Sequence, residues 1–375
     1  MLYERTGVTR YNRNKATTGY TLFSPMFGKN TFIIDMNGKV VHSWKHPNTP
    51  GAYHYLLPNG NLLGSVLTPE PQVGLAAKGG LIREVDWKGK LVWEYRDDLQ
   101  HHDFRRCPNG NTVYLGWELL PKKAQKRVLG GKPKSEHADG IYGDVVREVT
   151  PDGEIAWEWR VSQHMDIENY PICSFCDRRE MAHANTVFPL KNGDFMISFR
   201  HINLVAIIDR KTKKFRWQMH DWRLGHQHDI QRLDNGNFLV YANGYHGPWD
   251  GRDIGSHVFE INPRNNKIVW EYKGQPGFSF DSQSISGVQR LPSGNTLICE
   301  GRWGRIFEVT KAGEIVWNYV SPYFVTDKKH PMYGANGVFR AYRYSHDSPQ
   351  IAGRLPKLAK RTAKSIGPAF KMIKV

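Results

Sequence analysis

The chain has 375 residues, 39% of them hydrophobic, and a formal net charge of +16 from 52 Lys and Arg against 36 Asp and Glu. No apolar run reaches the roughly 20 residues of a membrane-spanning helix, which excludes that class, and four cysteines (107, 173, 176 and 299) exclude a disulfide framework. The positive balance raises nucleic-acid binding, but the charge is split between one loop and the C-terminal tail and no nucleic-acid module is present, so no such partner is expected.

Residues 1–18 read as a lead-in. Its opening MLYERTGVTRYNRNK lacks the apolar core of a secretory leader, so the chain as written is expected in the cytoplasm, or in the periplasm if a leader was removed. Three β-rich runs follow: YTLFS (20–24), TFIIDM (31–36) and KVVHSW (39–44), the last ending at Trp44. Five more stretches close on a tryptophan after a Gly-, Lys- or Asn-type turn: KGKLVW at Trp93, DGEIAW at Trp157, KTKKFRW at Trp217, NNKIVW at Trp270 and AGEIVW at Trp317. Successive tryptophans lie 49, 64, 60, 53 and 47 residues apart, so one unit recurs with loop insertions. Upstream of most of them stands a tight turn: PNGN at Pro58 and Pro108, KNGD at Lys191, DNGN at Asp234 and PSGN at Pro292. Asn-Gly and Ser-Gly supply the positive φ that hairpins need. Around Asp234 the runs DIQRL (229–233), FLVYA (238–242), HVFEI (257–261) and KIVWEY (267–272) make four antiparallel strands per unit. Four-stranded sheets at this period predict an all-β chain, a β-propeller.

Five turns stand against six tryptophans because the N-terminal runs lack an innermost strand. NGVFRAYRY (336–344) supplies it from the other end of the chain, closing the last blade with strands from both termini and removing open sheet edges. The reading is a six-bladed propeller over residues 19–345. A five-bladed ring with a decorative N-terminal hairpin is the alternative. The tryptophans are expected to pack between neighbouring sheets. A basic run, PKKAQKRVLGGKPK (121–134), falls between two strands of the second complete blade, as a lid or as an exposed insertion. Residues 346–375 form a basic tail with Arg354, Lys357, Lys360, Arg361, Lys364, Lys371 and Lys374. It reads either as an amphipathic helix touching anionic lipid or as a solvated tail. Cys173 and Cys176 make a CxxC without a second one, so reduced thiols are expected and no metal site or cofactor is assigned.

In a propeller the innermost strands border the central channel, so the residues that open them face one another. Those stretches read HHDF (101–104), HAN (183–185), QHDI (227–230), SISG (284–287) and YGANG (333–337), with His54 slightly deeper in its strand. His102 and His228 share one register, six residues before their turn, and Asn185 matches it beside His183. Any one histidine alone would read as a structural residue. Several at one end of one channel point to chemistry. The next strand, FMISFRH (195–201), carries Arg200 in an apolar setting. An arginine there needs a partner, and its fork suits a tetrahedral oxyanion or a salt bridge to a neighbouring blade.

The chain resembles the bacterial arylsulfate sulfotransferases that use no nucleotide donor. The likeness runs from GYTLFSPMFGKNTFIIDMNGKVVHSW (19–44) through HHDF, GDVVREVTPDGEIAWEWR (143–160) and HANTVFPLKNGDFMISFRHINLVAIIDRKTKKFRW (183–217) to QHDIQRLDNGNFLVYANG (227–244). The HxN…SxR block followed by QHD is its most specific part. The resemblance implies a six-bladed propeller that moves a sulfuryl group between phenols by a ping-pong route, acting on a small sulfated or phenolic molecule. It implies that His228 becomes transiently sulfurylated, that His183, Asn185 and Arg200 hold the sulfate oxygens, and that His102, or His101 in its place, is a further active-site histidine. Asn243, in Ala242-Asn243-Gly244 where relatives commonly have Asp-Asn-Gly, joins His101, His226 and His54 as an expected substrate contact. The template leaves His226 and His246 without an assigned role.

Two rival readings remain. A metal- or quinone-dependent oxidoreductase would use His101, His102, His183, His226 and His228, although Arg200 beside that pool favours an anion over a cation. A non-catalytic propeller would recruit partners through its faces.

Overall fold

Every glycine at the expected hairpin turns adopts the backbone that turn requires: Gly60, Gly110, Gly193, Gly236 and Gly294 hold φ between 83° and 89°, a region strained for any residue with a Cβ. In the computed structural model, which describes residues 5–69, 74–246, 255–356 and 373–374, antiparallel strands form six blade sheets, five of four strands and one of five. The protein is a six-bladed β-propeller with minimal helix.

Blade one is closed as the sequence requires. Val338–Tyr344 pairs with Tyr20–Pro25, followed by Asn30–Ile34 and Val40–Lys45. The other five blades run in chain order. They begin at the strands Pro50–Leu56, Gln100–Arg106, Ala184–Pro189, His228–Arg232 and Gly287–Arg290. Blade six gains a fifth strand, Gly7–Tyr11, paired with Ile315–Val320.

The repeated motifs have repeated jobs. In blade two Asn61 donates to the Glu84 carboxylate at 2.6 Å; Asn111 does the same to Glu148 at 2.6 Å, Asn237 to Glu260 at 2.7 Å and Asn295 to Glu308 at 2.6 Å. Each clasp ties the hairpin turn to the third strand of its own blade. Four of the repeat tryptophans tie one blade to the next. Indole Nε1 of Trp44 donates to Asp86 O at 3.0 Å, of Trp157 to Arg210 O at 3.0 Å, of Trp217 to Pro263 O at 3.1 Å and of Trp317 to Met36 O at 2.9 Å. Each acceptor lies in the turn before the outermost strand of the following blade. An indole buries a large apolar surface and still needs a home for its N–H, and this carbonyl provides it.

Contacts cluster the chain into two units. One holds residues 1–67, 82–94 and 284–375, the other 68–81 and 95–283. In the first, apolar cores form around Phe23, Ile34, Ile306 and Trp317 and around Tyr20, Leu22, Ile33 and Leu56. The start of the basic tail docks there, with Ile351 in the second core and the Arg354 guanidinium donating to Asn59 O. The rest of the expected tail helix, 357–372 and 375, lies outside the described residues. In the second unit the cores form around Leu115, Val146, Trp159 and Ile197 and around Met196, Val240 and Phe259. The basic run 121–134 is an insertion between the strands Thr112–Leu119 and Tyr142–Val149. It packs on the segment that carries the CxxC, through Gly131 N to Ile172 O at 3.0 Å and Lys132 N to Cys176 O at 2.8 Å. No helix among the described residues is long and apolar enough to cross a membrane.

Candidate active site

The inner strands of the second unit open irregularly, and the irregularities fall on the histidine motifs. His102, His183 and Asp229 hold φ of 49°, 57° and 55°, a left-handed backbone that costs a non-glycine residue about 1 kcal/mol or more. The pairing register breaks between His101 and Phe104, at Asn185, and between His228 and Gln231. Such bulges re-aim side chains at the mouths of sheets. The aspartates of HHD and QHD lie between neighbouring inner strands: Val187 N donates to Asp103 Oδ2 at 2.9 Å, and Arg105 Nη2 lies 3.7 Å from Asp229 Oδ1. Asp229 N in turn donates to Thr186 Oγ1 at 2.9 Å.

His228 is held by a two-step relay. Its Nδ1 lies 2.7 Å from Asn243 Oδ1, and Asn243 Nδ2 donates to Ser282 O at 2.6 Å. A backbone carbonyl only accepts, so it fixes which end of the Asn243 amide faces the imidazole. That end is the oxygen, and it calls for a proton on Nδ1. In the neutral ring the lone pair is then on Nε2. Asn185 Nδ2 donates to Gln227 O at 2.8 Å, steadying the backbone just before His228.

The other histidines form a connected group. His102 Nδ1 lies 2.8 Å from His101 Nδ1, and His101 stacks on Trp117 with its Nε2 3.4 Å from Asp144 Oδ1. The His102 and His183 rings meet edge to face at 4.6 Å. Glu180 anchors His183: its Oε1 lies 3.1 Å from His183 Nδ1, its Oε2 accepts from Trp117 Nε1 at 3.0 Å, and His201 stacks on the His183 ring at 4.4 Å. Glu180, His201, Asp144 and Trp117 were not among the expected site residues. Glu180 left one signal, an acid three residues before a motif histidine.

Burial sets the charge state. It pushes His102 well below the ordinary imidazole value, and His183, His101, His228 and Arg200 push it further. His183 is lowered the same way, by burial and then by Arg200. His101 is pushed down to about 3 by burial, against the pull of Glu180. Burial also raises the Asp144 carboxyl well above its usual range, reinforced by the nearby Glu180 charge. Burial therefore gathers neutral rings near a cation. Arg200 is half-buried, its Nη2 3.5 Å from Gln283 O and its guanidinium 6.0 Å above the Tyr245 ring. A fixed cation facing neutral imidazoles suits an incoming anion.

Not every expected residue joins this group. His54 belongs to the other unit, where its Nδ1 lies 3.0 Å from Ser24 Oγ and 3.1 Å from Thr31 Oγ1 and its ring stacks on His46 at 4.0 Å. His226 turns toward different partners. Its Nε2 lies 3.8 Å from Cys176 Sγ, and His246 Nδ1 lies 3.5 Å from Cys173 Sγ and 3.8 Å from Cys176 Sγ. These four ligand atoms all lie within 4.8 Å of one another, the one such group of His, Cys, Asp or Glu among the described residues.

Comparison with known proteins adds a family and a fold. The family model described as arylsulfotransferase (ASST) matches residues 64–322. No curated protein matches the chain. Among solved structures, a protein of unknown function from Bacteroides caccae is 13% identical over 87% of this chain and 99% of its own, with a TM-score of 0.52, a likeness of fold alone. A streptogramin B lyase (13% identity, 84% and 82% covered, TM-score 0.47) and a virginiamycin B lyase from Staphylococcus aureus (10%, 81% and 86%, 0.45) are looser likenesses from which nothing follows for this chain.

Proposed function

Because the chain belongs to the arylsulfotransferase (ASST) family, which supports aryl sulfotransferase activity in general terms, we propose that it transfers a sulfuryl group from an aryl sulfate to a phenolic acceptor through a covalent intermediate on His228. The observation that carries this reading is the His228–Asn243–Ser282 relay, which places a proton on Nδ1 and so assigns the lone pair of a neutral ring to Nε2.

In the first half-reaction His228 Nε2 attacks the sulfur. The N–S bond forms as the bond from sulfur to the aryl oxygen breaks, and its electron pair leaves with the phenolate. The sulfurylated ring carries positive charge, which the Nδ1–H shares with Asn243 Oδ1. Arg200 binds the ester's sulfate oxygens from the start and keeps them in line. His102 lies beside that path.

The departing phenolate needs a proton, and His183 with Glu180 is built to carry one. Burial and Arg200 keep His183 neutral, but an arriving sulfate ester adds negative charge next to the ring and returns its basicity. The imidazolium then has the Glu180 carboxylate as its partner, donates its proton to the leaving oxygen and becomes a neutral base. In the second half-reaction it takes the proton of the acceptor phenol, whose oxygen attacks sulfur as the N–S bond breaks. His228 returns neutral, and atoms and charge balance over the cycle.

Steady-state kinetics test the reading. Nitrophenol release from 4-nitrophenyl sulfate should accelerate with added phenol and give parallel double-reciprocal lines. Intersecting lines would contradict a covalent intermediate, and release indifferent to phenol would make the protein a hydrolase.

A further inference from the structure

The CxxC and the two histidines that the sulfotransferase chemistry does not use meet in one place, and we propose that Cys173, Cys176, His226 and His246 form a tetrahedral zinc site that holds the active-site segments together. The argument begins with distances. A zinc ion bound at about 2.3 Å by sulfur and about 2.0–2.1 Å by nitrogen, with tetrahedral angles, sets its sulfur–nitrogen edges at about 3.6 Å. Cys173 Sγ lies 3.5 Å from His246 Nδ1, and Cys176 Sγ lies 3.8 Å from His226 Nε2 and 3.8 Å from His246 Nδ1. Separations of 3.8 Å are loose for thiol–imidazole hydrogen bonds, yet they fit the edges of such a tetrahedron.

The backbone agrees. Both histidines adopt the left-handed region, His226 at φ 66° and His246 at φ 56°, a strain that persists where surrounding structure or function demands it. Cys176 N donates to Cys173 O at 2.9 Å, closing the tight turn that brings both sulfurs to one side. The thiols are free. Three of the four residues are buried, and His226 Nδ1 lies in the interior with no hydrogen-bond partner, so this ring's one directed contact is through Nε2 toward the sulfurs.

Charge decides which cation fits. Arg200 lies within electrostatic reach of both cysteines, and a dication held by histidines alone would repel it. Two thiolates cancel the charge of Zn²⁺, so a two-sulfur, two-nitrogen cluster can stand next to Arg200 at no electrostatic penalty. Four protein ligands leave no open coordination position, which makes the site structural. It would fasten three segments: the loop at 173–176, the residue two before His228, and the neighbour of Tyr245, over whose ring Arg200 lies.

The test uses the full chain, produced in zinc-supplemented medium and gel-filtered without added metal or chelator. Metal analysis should find about one zinc per chain, retained in Cys107→Ser and Cys299→Ser and reduced at least about tenfold in Cys176→Ser and His246→Asn. Should those variants fail to fold, wild-type protein exchanged with Co²⁺ alone should show visible bands of tetrahedral cobalt together with sulfur-to-cobalt charge transfer. Absence of zinc after reconstitution with ZnCl₂, a Cys173–Cys176 disulfide in freshly isolated protein, octahedral cobalt, or full zinc retention in a Cys173→Ser, Cys176→Ser double variant would overturn the site.

Discussion

Asn243→Leu removes the acceptor for His228 Nδ1 while preserving most of the side-chain volume. Asn243 is fully buried, and its side-chain contacts to His228 at 2.7 Å and Ser282 at 2.6 Å are both short. In the resting enzyme the bond to His228 joins neutral groups. When the ring accepts the sulfuryl group it becomes cationic, and a bond to a charged group contributes about 1.5–3 kcal/mol against about 1 for a neutral pair. The part gained only on sulfurylation, about 0.5–2 kcal/mol, belongs to the transition state, so kcat should fall about 2- to 30-fold with KM for the aryl sulfate little changed. Loss of the Ser282 contact should lower folding stability by about 1–3 kcal/mol. Asn243→Asp should retain more activity than Leu, because a carboxyl oxygen still accepts from Nδ1. It should also lose stability as pH rises above about 4, since the folded protein holds that carboxyl protonated beside the Ser282 carbonyl while the unfolded chain ionises it. Stopped-flow measurement of the nitrophenol burst isolates the first half-reaction. A burst rate in Asn243→Leu equal to that of wild type would refute the relay.

Other parts of the site make separable predictions. Arg200→Lys keeps the charge but loses the planar fork, so kcat/KM should fall about 100-fold with the thermal midpoint nearly unchanged; an unaffected kcat/KM would remove Arg200 from the sulfate site. Glu180→Gln takes away the partner of the His183 imidazolium. Transfer from esters of weakly acidic phenols should fall about 100-fold and transfer from 4-nitrophenyl sulfate less than about tenfold, because a good leaving group needs little protonation. Equal losses for both donors would contradict the proton-carrying role. The buried histidines also govern stability: His46 is lowered to about 4 by burial and then by Arg83, and His101 to about 3 by burial. Each stays neutral when folded, while the unfolded ring takes up a proton below about pH 6.5, so its contribution is complete above that pH and lost as pH falls. Urea unfolding between pH 6.5 and 4.5 should show a loss of about 2–3 kcal/mol for each such ring, and a pH-independent midpoint would contradict their neutral burial.

The repeat was legible because its signals are local. A glycine at positive φ, a run of β-formers and a closing tryptophan are written within a dozen residues, and the structure gives each a partner: the Asn–Glu clasp and the indole-to-carbonyl bond. The missing strand of blade one was legible as an arithmetic gap, and Val338–Tyr344 fills it. The edge strand Gly7–Tyr11 was not, since only one of its five residues is buried and it acquires a partner only at Ile315–Val320, across nearly the whole chain. The histidine motifs were readable, but the groups that orient them were not. Glu180 sits in irregular backbone, and its link to Trp117 spans 63 residues. Asn243 was expected as a substrate contact, and its bonds to His228 and Ser282, 15 and 39 positions away, carried no local signal. His54 shares the histidine pattern, yet the hydroxyls of Ser24 and Thr31 claim its ring. The CxxC lacked a partner in sequence because the residues facing it are histidines 50 to 73 positions downstream, a spacing that matches no linear motif.

The central claim is that a sulfuryl group rests on one nitrogen of one residue. Enzyme mixed with aryl sulfate in the absence of acceptor, quenched in base and digested, should yield one peptide heavier by a single sulfuryl group. Fragmentation should place the added mass on His228, and brief exposure to phenol before quenching should remove it. A modified peptide lacking His228, or full turnover by His228→Asn, would contradict the account.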